Sequence, residues 1–347
     1  MFCCLGEKPS AGKSTFFNAT TQTDDAKVAA FPFTTIEPNI GRGYFSSACP
    51  SKTFQVDGRD LSVSGNAFFG YTSTGGRKIP IIVKDVAGLV PGAYTGRGRG
   101  NAFLNDLCDA NVFIHVVDAS GTTDRTGVQN LDGKHDPIDD IGWVRLEIHR
   151  WIYANVRHKW SGVRRRSERF FDLFGGYIRN CRSHGMVTEA LSRMGIDVKD
   201  LDTILPQFTA HDLHRFVAHF LRVRFPMFLA LNKADLKGTT ENIYRIKKKF
   251  PNEKCLPVCA AHEWGLLQLR RQGLIDYIDG DEKVKILIPR TEAVWVPKYI
   301  ALLETMEATV FSMFGSTGIL NCMTAAVRYP QNIFDLVQNY LVNPIIL

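Results

Sequence analysis

The feature that most restricts the fold is a short apolar run followed by a glycine, a lysine and two hydroxyl residues. Residues 2–5 are apolar, a turn-rich loop follows, and Gly12, Lys13, Ser14 and Thr15 open a stretch with a helical pattern. A loop between a strand and a helix can turn its backbone N–H groups inward, where they and the helix N-terminus bind phosphate. The lysine would bridge two phosphates, and the first hydroxyl would bind Mg²⁺. The sequence therefore predicts a strand, a phosphate-binding loop and a helix.

Four further apolar runs recur along the chain and predict the rest of a sheet. They cover residues 79–84, 112–117, 226–231 and 255–259. Buried strands that alternate with helical patterns are typical of a parallel sheet with helices on both faces and its ligand at the carboxyl ends of the strands. We therefore predict an α/β protein of the P-loop NTPase type, with a doubly wound, mostly parallel sheet and a helical insertion.

The alternation is interrupted once, before residue 225, by a long stretch with a mostly helical pattern. This interruption predicts four regions. They are the first part of the nucleotide-binding domain in residues 1–138, an inserted basic helical subdomain in residues 139–224, the second part of the domain in residues 225–290, and C-terminal helices in residues 291–347.

Composition excludes several protein classes. The 347 residues are 45% hydrophobic and 22% charged, as in soluble globular proteins. No uninterrupted apolar run approaches the ~18 residues of a membrane helix, and the first residues lack the basic start of a signal peptide. The eight cysteines include no Cys-x-x-Cys pair, which argues against a disulfide framework or a zinc site. We expect a cytoplasmic protein that does not bind membranes.

Positive charge is concentrated in one stretch of the chain. The formal net charge is +7, and the stretch from Arg145 to Arg182 alone holds ten basic and three acidic residues. One interpretation is contact with the ribosome or RNA, with the interleaved aromatic rings stacking on bases. The other is a solvated helical face whose aromatic rings belong to the core. The sequence leaves both open.

A second motif, Asp85-Val-Ala-Gly88, ends a predicted strand. The Asp85 carboxylate can hold Mg²⁺ through water, and the amide of Gly88 can contact a γ-phosphate. Between this motif and the phosphate-binding loop lie Thr34 and Thr35, one of which is expected to complete the Mg²⁺ shell and order its loop as a switch. These residues predict a site for Mg²⁺ and a nucleoside triphosphate.

A third motif, Asn232-Lys-Ala-Asp235, follows another predicted strand and indicates the base. The Asp235 carboxylate can accept hydrogen bonds from N1–H and the 2-amino group of guanine, whereas adenine offers neither donor. The Lys233 stem can pack over the base, and Asn232 can tie this loop to the phosphate-binding loop. Three motifs in this order, each at a strand end, predict a guanine-nucleotide site.

Longer phrases spread over residues 2–328 are specific to one family. They are residues 8–17, 31–39, 85–93, 96–104, 115–121, 135–141, 232–235, 273–281 and 314–318. In these phrases the chain resembles the Obg-related translation-factor GTPases, specifically their YchF-like branch. The resemblance implies a GTPase domain with a helical insertion, a role linked to ribosomes and a following small β-grasp (TGS) domain. After residue 327 the sequence departs from the family pattern, and we expect no recognisable TGS domain before Leu347.

The resemblance also implies roles for individual residues. Thr35 matches the switch I magnesium ligand, and Cys259 and Ala260 stand where the family's Ser-Ala contacts the guanine O6 through the backbone. The implied nucleotide contacts are Pro9, Ser10, Ala11, Gly12, Lys13, Ser14, Thr15, Asn232, Lys233, Asp235, Cys259 and Ala260. The implied metal ligands are Ser14, Thr35 and Asp85, and hydrolysis would depend on Lys13, Thr35 and Gly88.

Three residues depart from the patterns of such sites. Glu7 stands where the phosphate-binding motif has glycine, Leu89 stands where many GTPases have a water-orienting glutamine, and Ser10 stands where some relatives hold K⁺ with Asn or Asp. We predict a Mg²⁺-dependent GTPase switch with slow intrinsic hydrolysis, whose ligands are GTP and GDP. The alternative left open is a degenerate guanine-nucleotide-binding scaffold with little or no hydrolysis. An ATPase is disfavoured by Asp235.

Overall fold

The computed structural model describes most of the chain. The described residues are 2–6, 10–24, 26, 38–48, 55–56, 59–60, 70–86, 92, 94, 106–108, 110–124, 127–129, 135–177, 183–292 and 294–328.

Ten strands lie in these residues. They are β1 (Phe2–Gly6), β2 (Asn39–Ser47), β3 (Gln55–Val56), β4 (Arg59–Asp60), β5 (Arg77–Asp85), β6 (Val112–Asp118), β7 (Met227–Asn232), β8 (Cys255–Pro257), β9 (Ile275–Asp276) and β10 (Lys285–Ile286). Six form the main sheet in the order β2-β5-β1-β6-β7-β8, and the others form two short ladders. Strands β5, β1, β6, β7 and β8 are parallel to one another, and β2 runs antiparallel to β5 at the edge. The predicted mostly parallel α/β fold is confirmed.

Eleven α-helices lie in the described residues. They are α1 (Lys13–Thr21), α2 (Pro137–Val163), α3 (Ser167–Gly175), α4 (Ser183–Ser192), α5 (Leu201–Ile204), α6 (Ala210–Arg224), α7 (Thr239–Lys249), α8 (Ala260–Arg271), α9 (Pro297–Thr305), α10 (Ser312–Phe314) and α11 (Ile319–Arg328). A π-helical segment, Met306–Phe311, joins α9 to α10.

Side chains of β6 divide between two apolar cores, one on each face of the sheet. Phe113 and Val117 pack with α2 and the inserted helices. Ile114 and Val116, which alternate with them, pack with Phe16 of α1 and with α11. This alternation is expected for a central strand covered on both faces, and it leaves the carboxyl edge of the sheet as the open side.

Helices α2 to α6 all lie between β6 and β7, where the sequence predicts the insertion. Helix α2 begins with proline, and the Asp136 carboxylate caps it by accepting a hydrogen bond from the amide of Ile138. Aromatic rings from α3 and α6 form the core of the insertion, and the ring centroids of Phe174 and Phe216 are 4.7 Å apart. The exact domain boundaries stay a prediction.

Several aromatic rings of the basic stretch lie in this core. Trp151, Phe170, Phe171 and Tyr177 are all buried. The interpretation that these four stack on nucleic-acid bases is therefore wrong, because they are buried and contact other rings of the insertion.

Within the part of the chain that the structure describes, one helical stretch, Pro297–Arg328, has the length and hydropathy of a membrane-crossing helix, with a mean hydropathy of 1.4 over its most apolar window. No uninterrupted apolar run marks this stretch in the sequence, because polar residues interrupt the apolar ones. Inside the protein 56% of that window is buried, and α11 contributes Cys322, Met323 and Ala326 to the core below the sheet. Core helices of soluble proteins have the same properties.

Candidate nucleotide-binding site

The loop before α1 has the backbone geometry that a phosphate cradle requires. Ser10 and Gly12 have positive φ angles of 66° and 99°. The Gly12 carbonyl accepts the first bond of α1 from the Phe16 amide at 2.8 Å. The Ser10 hydroxyl is buried and has no hydrogen-bond partner among the described residues. A buried hydroxyl without a protein partner is expected in a loop that binds an external anion.

Lys13 and Asp85 form a buried ion pair at the centre of the site. The ammonium Nζ lies 2.5 Å from Oδ1 of Asp85, and the two residues are 3% and 0% exposed. The other carboxylate oxygen accepts from Asn39 Nδ2 at 3.3 Å and from the Ser14 hydroxyl at 3.4 Å. Adjacent parallel strands β1 and β5 produce this contact, because Leu5 is in register with Asp85.

These oxygen atoms suit Mg²⁺. The ion prefers hard oxygen ligands and keeps several waters when it binds a nucleotide. The Ser14 hydroxyl and the Asp85 carboxylate lie 3.4 Å apart, close enough for both to act on one ion. Among the described residues no three His, Cys, Asp or Glu side chains form a metal cluster. A metal at this point would therefore depend on hydroxyl, water and phosphate oxygens in addition to Asp85.

Asn232 joins the two loops of the site. Its Nδ2 donates to the Ala11 carbonyl at 2.8 Å, and its Oδ1 accepts from the Ala260 amide at 3.1 Å. The residue is buried, with 3% of its surface exposed. The phosphate loop, the end of β7 and the start of α8 are thereby fixed relative to one another, as the sequence predicts for this residue.

Lys233 has a partner that the sequence does not indicate. It has a φ of 60°, and its Nζ lies 2.8 Å from Oδ2 of buried Asp118, at the end of β6. Although burial works in the opposite direction, this ammonium group together with the hydroxyls of Ser120 and Thr123 lowers the pKa of Asp118. The ion pair fixes the loop that follows β7 against the end of β6.

Asp235 lies beside the first turn of α8. Its carboxylate is hydrogen-bonded to the thiol of Cys259. Burial raises the pKa of that thiol, and the charge of this carboxylate raises it further. On another side, Oδ2 of Asp235 is 3.8 Å from Nδ1 of His262. Burial lowers the pKa of His262, and the Asp235 charge opposes that shift. Sequence reasoning identified Asp235 and Cys259 but missed His262.

The predicted strand at residues 255–259 is shorter in the structure, where β8 ends at Pro257. The Cys259 amide donates to the Thr317 carbonyl at 2.9 Å instead of continuing the sheet. The Thr317 hydroxyl donates in turn to fully buried Glu263, which also accepts from the Tyr277 hydroxyl at 2.8 Å. Burial, reinforced by the charge of Asp279, raises the pKa of Glu263 to about 7.

A carboxylate of the insertion contacts the chain that follows the Asp85 motif. Glu147 of α2 is buried and accepts from the amides of Gly92 and Tyr94, each at 3.2 Å. One turn later on α2, Arg150 lies over the Tyr94 ring at 5.5 Å. Helix α2 therefore touches both the sheet and the segment after Asp85.

The same insertion carries an exposed cationic surface. The exposed basic residues of the predicted stretch are Arg150, Arg157, Lys159, Arg164, Arg165, Arg166 and Arg169. Arg145 instead pairs with Glu253 at 2.6 Å. A groove of about 1360 Å³ between α2, α4 and α6 adds Arg193, Arg222 and Lys254 at the amino ends of β7 and β8. The groove lies at the opposite ends of the strands from the carboxyl edge that holds Lys13 and Asp85.

The structure brings together the predicted residues Ser10, Ala11, Gly12, Lys13, Ser14, Thr15, Asp85, Asn232, Lys233, Asp235, Cys259 and Ala260 at one edge of the sheet. Pro9, Thr35 and Gly88 lie outside the described residues, as do Thr34, Glu7, Leu89, Arg179 and Arg182. The roles inferred for them stay predictions.

Two family models match different parts of the chain. The model described as "50S ribosome-binding GTPase" matches residues 3–141. The model described as "Obg-like GTPase YGR210-like, G4 motif-containing domain" matches residues 230–344. The first match ends within the first turns of α2 and the second begins in β7, so most of the insertion lies between them.

Curated relatives cover nearly the whole chain. An uncharacterized GTP-binding protein of Schizosaccharomyces pombe is 35% identical over 92% of this chain and 77% of its own length. A second one, of Methanocaldococcus jannaschii, is 33% identical over 97% of this chain and 80% of its own length. The crystal structure of a GTP-binding protein from Pyrococcus horikoshii is similar with a TM-score of 0.65 and 27% identity, over 94% of this chain and 78% of that chain.

Proposed function

Because the chain belongs to the YchF-like branch of the Obg-related GTP-binding proteins, we propose that it is a Mg²⁺-dependent GTPase that acts as a molecular switch. The bridge formed by Asn232 is the observation that carries this proposal. Its two hydrogen bonds hold a phosphate loop and a base loop at one site, so a single nucleotide would contact both.

The triphosphate would bind at the start of α1. Backbone amides from Ser10 to Thr15 and the Lys13 ammonium would contact the phosphates. Ser14, Thr35 and Asp85 would hold Mg²⁺, which when bound neutralises charge on the phosphate oxygens. Asp235 would accept from guanine N1–H and the 2-amino group, and the backbone at Cys259 and Ala260 would face O6. GTP and GDP are therefore the proposed ligands.

Hydrolysis would proceed by in-line attack of water on the γ-phosphorus. The bond to the oxygen that bridges the β- and γ-phosphates breaks as the new bond forms, and GDP and inorganic phosphate result. Lys13, Thr35 and Gly88 are the proposed supports for the developing charge. Leu89 cannot hydrogen-bond a water molecule, so we expect slow turnover without a partner.

We further propose a cytoplasmic protein whose partner is the ribosome or another RNA. The exposed arginine and lysine side chains of α2, of α3 and of the turn between them support this proposal, since phosphate contacts dominate affinity for RNA. The Bacillus subtilis relative named "Ribosome-binding ATPase YchF" is 36% identical, over 40% of this chain and 33% of its own length.

Titration with fluorescent GDP and a non-hydrolysable GTP analogue, with and without Mg²⁺ and with ATP as competitor, tests the nucleotide assignment. Guanine-selective binding near the micromolar range, about −8 kcal/mol, is expected. Competition won by ATP would overturn it, and binding without turnover, with or without ribosomes, would favour the scaffold alternative. Ribosome affinity that does not fall as salt rises would contradict the cationic contact.

A further inference from the structure

His262 is buried in the first turn of α8, directly beside the proposed base-reading carboxylate. Its Nδ1 lies 3.8 Å from Oδ2 of Asp235, and 7% of the residue is exposed. No hydrogen bond reaches this nitrogen within the described residues. An unpartnered polar atom in a buried place is unfavourable, so the position of the imidazole calls for an explanation.

The chain holds this imidazole in place from several directions. The amide of Ala260, in the same turn, donates to Asn232 at 3.1 Å. The carboxylate of Glu263, the next residue, is fixed by the hydroxyls of Tyr277 and Thr317. The first turn of α8 is thereby anchored on both sides of His262, and Nδ1 of its ring is the atom that lies 3.8 Å from Oδ2 of Asp235.

Base recognition makes a geometric demand on Asp235. Guanine presents N1–H and the 2-amino group side by side, so both carboxylate oxygens must lie in the plane of the base. The Cys259 thiol contacts the same carboxylate. A second group near Oδ2 would restrict rotation of the carboxylate about its last bond.

We propose that His262 is a positioning residue for guanine recognition, with Nδ1–H directed at Oδ2 of Asp235 so that the carboxylate stays in the plane of the base. This inference rests on the proposed function, because it requires that Asp235 reads the base. The separation of 3.8 Å exceeds that of a hydrogen bond, so this role requires the two groups to approach each other when the base binds.

The imidazole performs this role in its neutral form. Burial lowers the pKa of His262, so the ring is neutral at pH 7.5 even though Asp235 opposes the shift. Protonation would place a full positive charge beside Oδ2 and draw the carboxylate toward the imidazole. The charged group that acts on His262 is Asp235, from the loop after β7, and Glu263 is its neighbour in the chain.

Two substitutions separate positioning from packing. His262→Phe keeps the ring and removes Nδ1, whereas His262→Asn places an amide N–H near the position of Nδ1 but cannot take up a proton. Affinities for GDP, inosine diphosphate and ADP would be measured by competition against a fluorescent guanine nucleotide at pH 7.5. Unfolding temperatures of both variants show whether each is folded.

We expect His262→Phe to lower the preference for GDP over ADP by about tenfold, corresponding to ~1.4 kcal/mol, and to lower the preference for GDP over inosine diphosphate. We expect His262→Asn to retain most of both preferences. If His262 only fills space, the phenylalanine variant will keep wild-type preferences, and the inference is overturned.

The pH profile is a second readout that packing alone would not change. Because the pKa of Glu263 is about 7, this residue titrates between pH 7.5 and pH 5, so the measurement is made with Glu263→Gln in every protein. As pH falls from 7.5 to 5, the affinity for GDP is expected to weaken more when residue 262 is histidine than when it is asparagine. Equal pH dependence in both would contradict the inference.

Asp235→Ala distinguishes this inference from the proposed function. If that variant keeps the guanine preference, the assignment of Asp235 as base reader fails, and the role of His262 fails with it. If Asp235→Ala loses the preference while His262→Phe keeps it, the base assignment stands and the role of His262 alone is overturned.

Discussion

Nζ of Lys13 lies 2.5 Å from Oδ1 of Asp85, although the two residues are 72 positions apart in the chain. The pair links the phosphate loop to the end of β5, where both side chains are shielded from water. Phosphate and Mg²⁺ would compete for these same two groups. Part of the affinity for a nucleotide is therefore offset by the separation of an internal ion pair.

The first prediction concerns this pair. Lys13→Met leaves the Asp85 charge buried without its cation and is expected to destabilise the nucleotide-free protein by about 3 kcal/mol. The double variant Lys13→Met with Asp85→Asn removes both charges and should recover at least half of that loss while binding no GTP. Urea unfolding and nucleotide titration of the four proteins in the cycle measure both effects. A single variant as stable as wild type would show that the pair contributes little.

The second prediction concerns Gly12. A β-carbon at this position would overlap Nδ2 of Asn232, and its φ of 99° disfavours any other residue. Gly12→Ala should therefore abolish nucleotide binding and lower the free energy of unfolding. Gly238→Ala is the matched control, because its φ is 83° and nothing lies within 4 Å of the added carbon.

That control should show only the cost of the left-handed backbone, on the order of 1–2 kcal/mol, with nucleotide affinity unchanged. Equal effects of the two substitutions on affinity would mean that contact with Asn232 is not what the glycine protects.

The third prediction concerns the base. Asp235→Asn replaces one acceptor with an N–H donor, which no longer matches the 2-amino group of guanine but does match the C2 carbonyl of xanthine. Affinity for GDP should fall about a hundredfold or more, since a buried polar mismatch costs several kcal/mol, and affinity for xanthosine diphosphate should rise. Competition titrations with both nucleotides test this. Unchanged selectivity would remove Asp235 from the base site.

The fourth prediction is a dependence of stability on pH through Glu263. Burial raises its pKa from 4.5 to about 7, so the folded protein binds one more proton than the unfolded chain between these values. Stability from this group is therefore highest below pH 4.5, falls as pH rises toward 7 and is constant above that. Glu263→Gln keeps an acceptor for Tyr277 and Thr317 and should flatten this part of the profile. The free energy of unfolding of both proteins would be measured with urea at pH 5 and pH 7.5. The same change with pH in wild type and Glu263→Gln would contradict the prediction.

The fold and the centre of the site follow from local sequence patterns. The apolar runs that end at Asp85 and Asn232 predict buried parallel strands, and parallel strands place their carboxyl ends at one edge. The sequence alone therefore predicts that Lys13, Asp85 and Asn232 lie close together. The residue types and their order along the chain are sufficient for this prediction, because each of the three residues belongs to a motif that serves one part of the site.

Strand β2 could not be predicted in the same way. Gly41 and Gly43 weaken its strand pattern, since glycine is a poor strand former. In the structure a side chain at either position would overlap residues of α1, including Thr20 and Thr21. The requirement comes from close packing of the helix on the edge of the sheet, which sequence spacing does not express.

The supporting contacts were also beyond sequence reasoning. Asp118 meets Lys233 across 115 residues, and Glu263 meets Thr317 across 54. Each of these residues is common in loops and helices and belongs to no short motif. Only the arrangement of β6, β7 and α8 brings them together.

Helix α2 begins beside the end of β6 and has 27 residues, so it is a continuous rod about 40 Å long. One end lies near the nucleotide edge, Glu147 holds the backbone after Asp85 partway along, and three consecutive arginines follow the other end. A tilt of roughly five degrees about the first turn would move the arginine end by about 3.5 Å for a helix of this length. A small reorientation of α2 at its nucleotide end would therefore be enlarged along the helix into a displacement large enough to make or break a contact at the arginines.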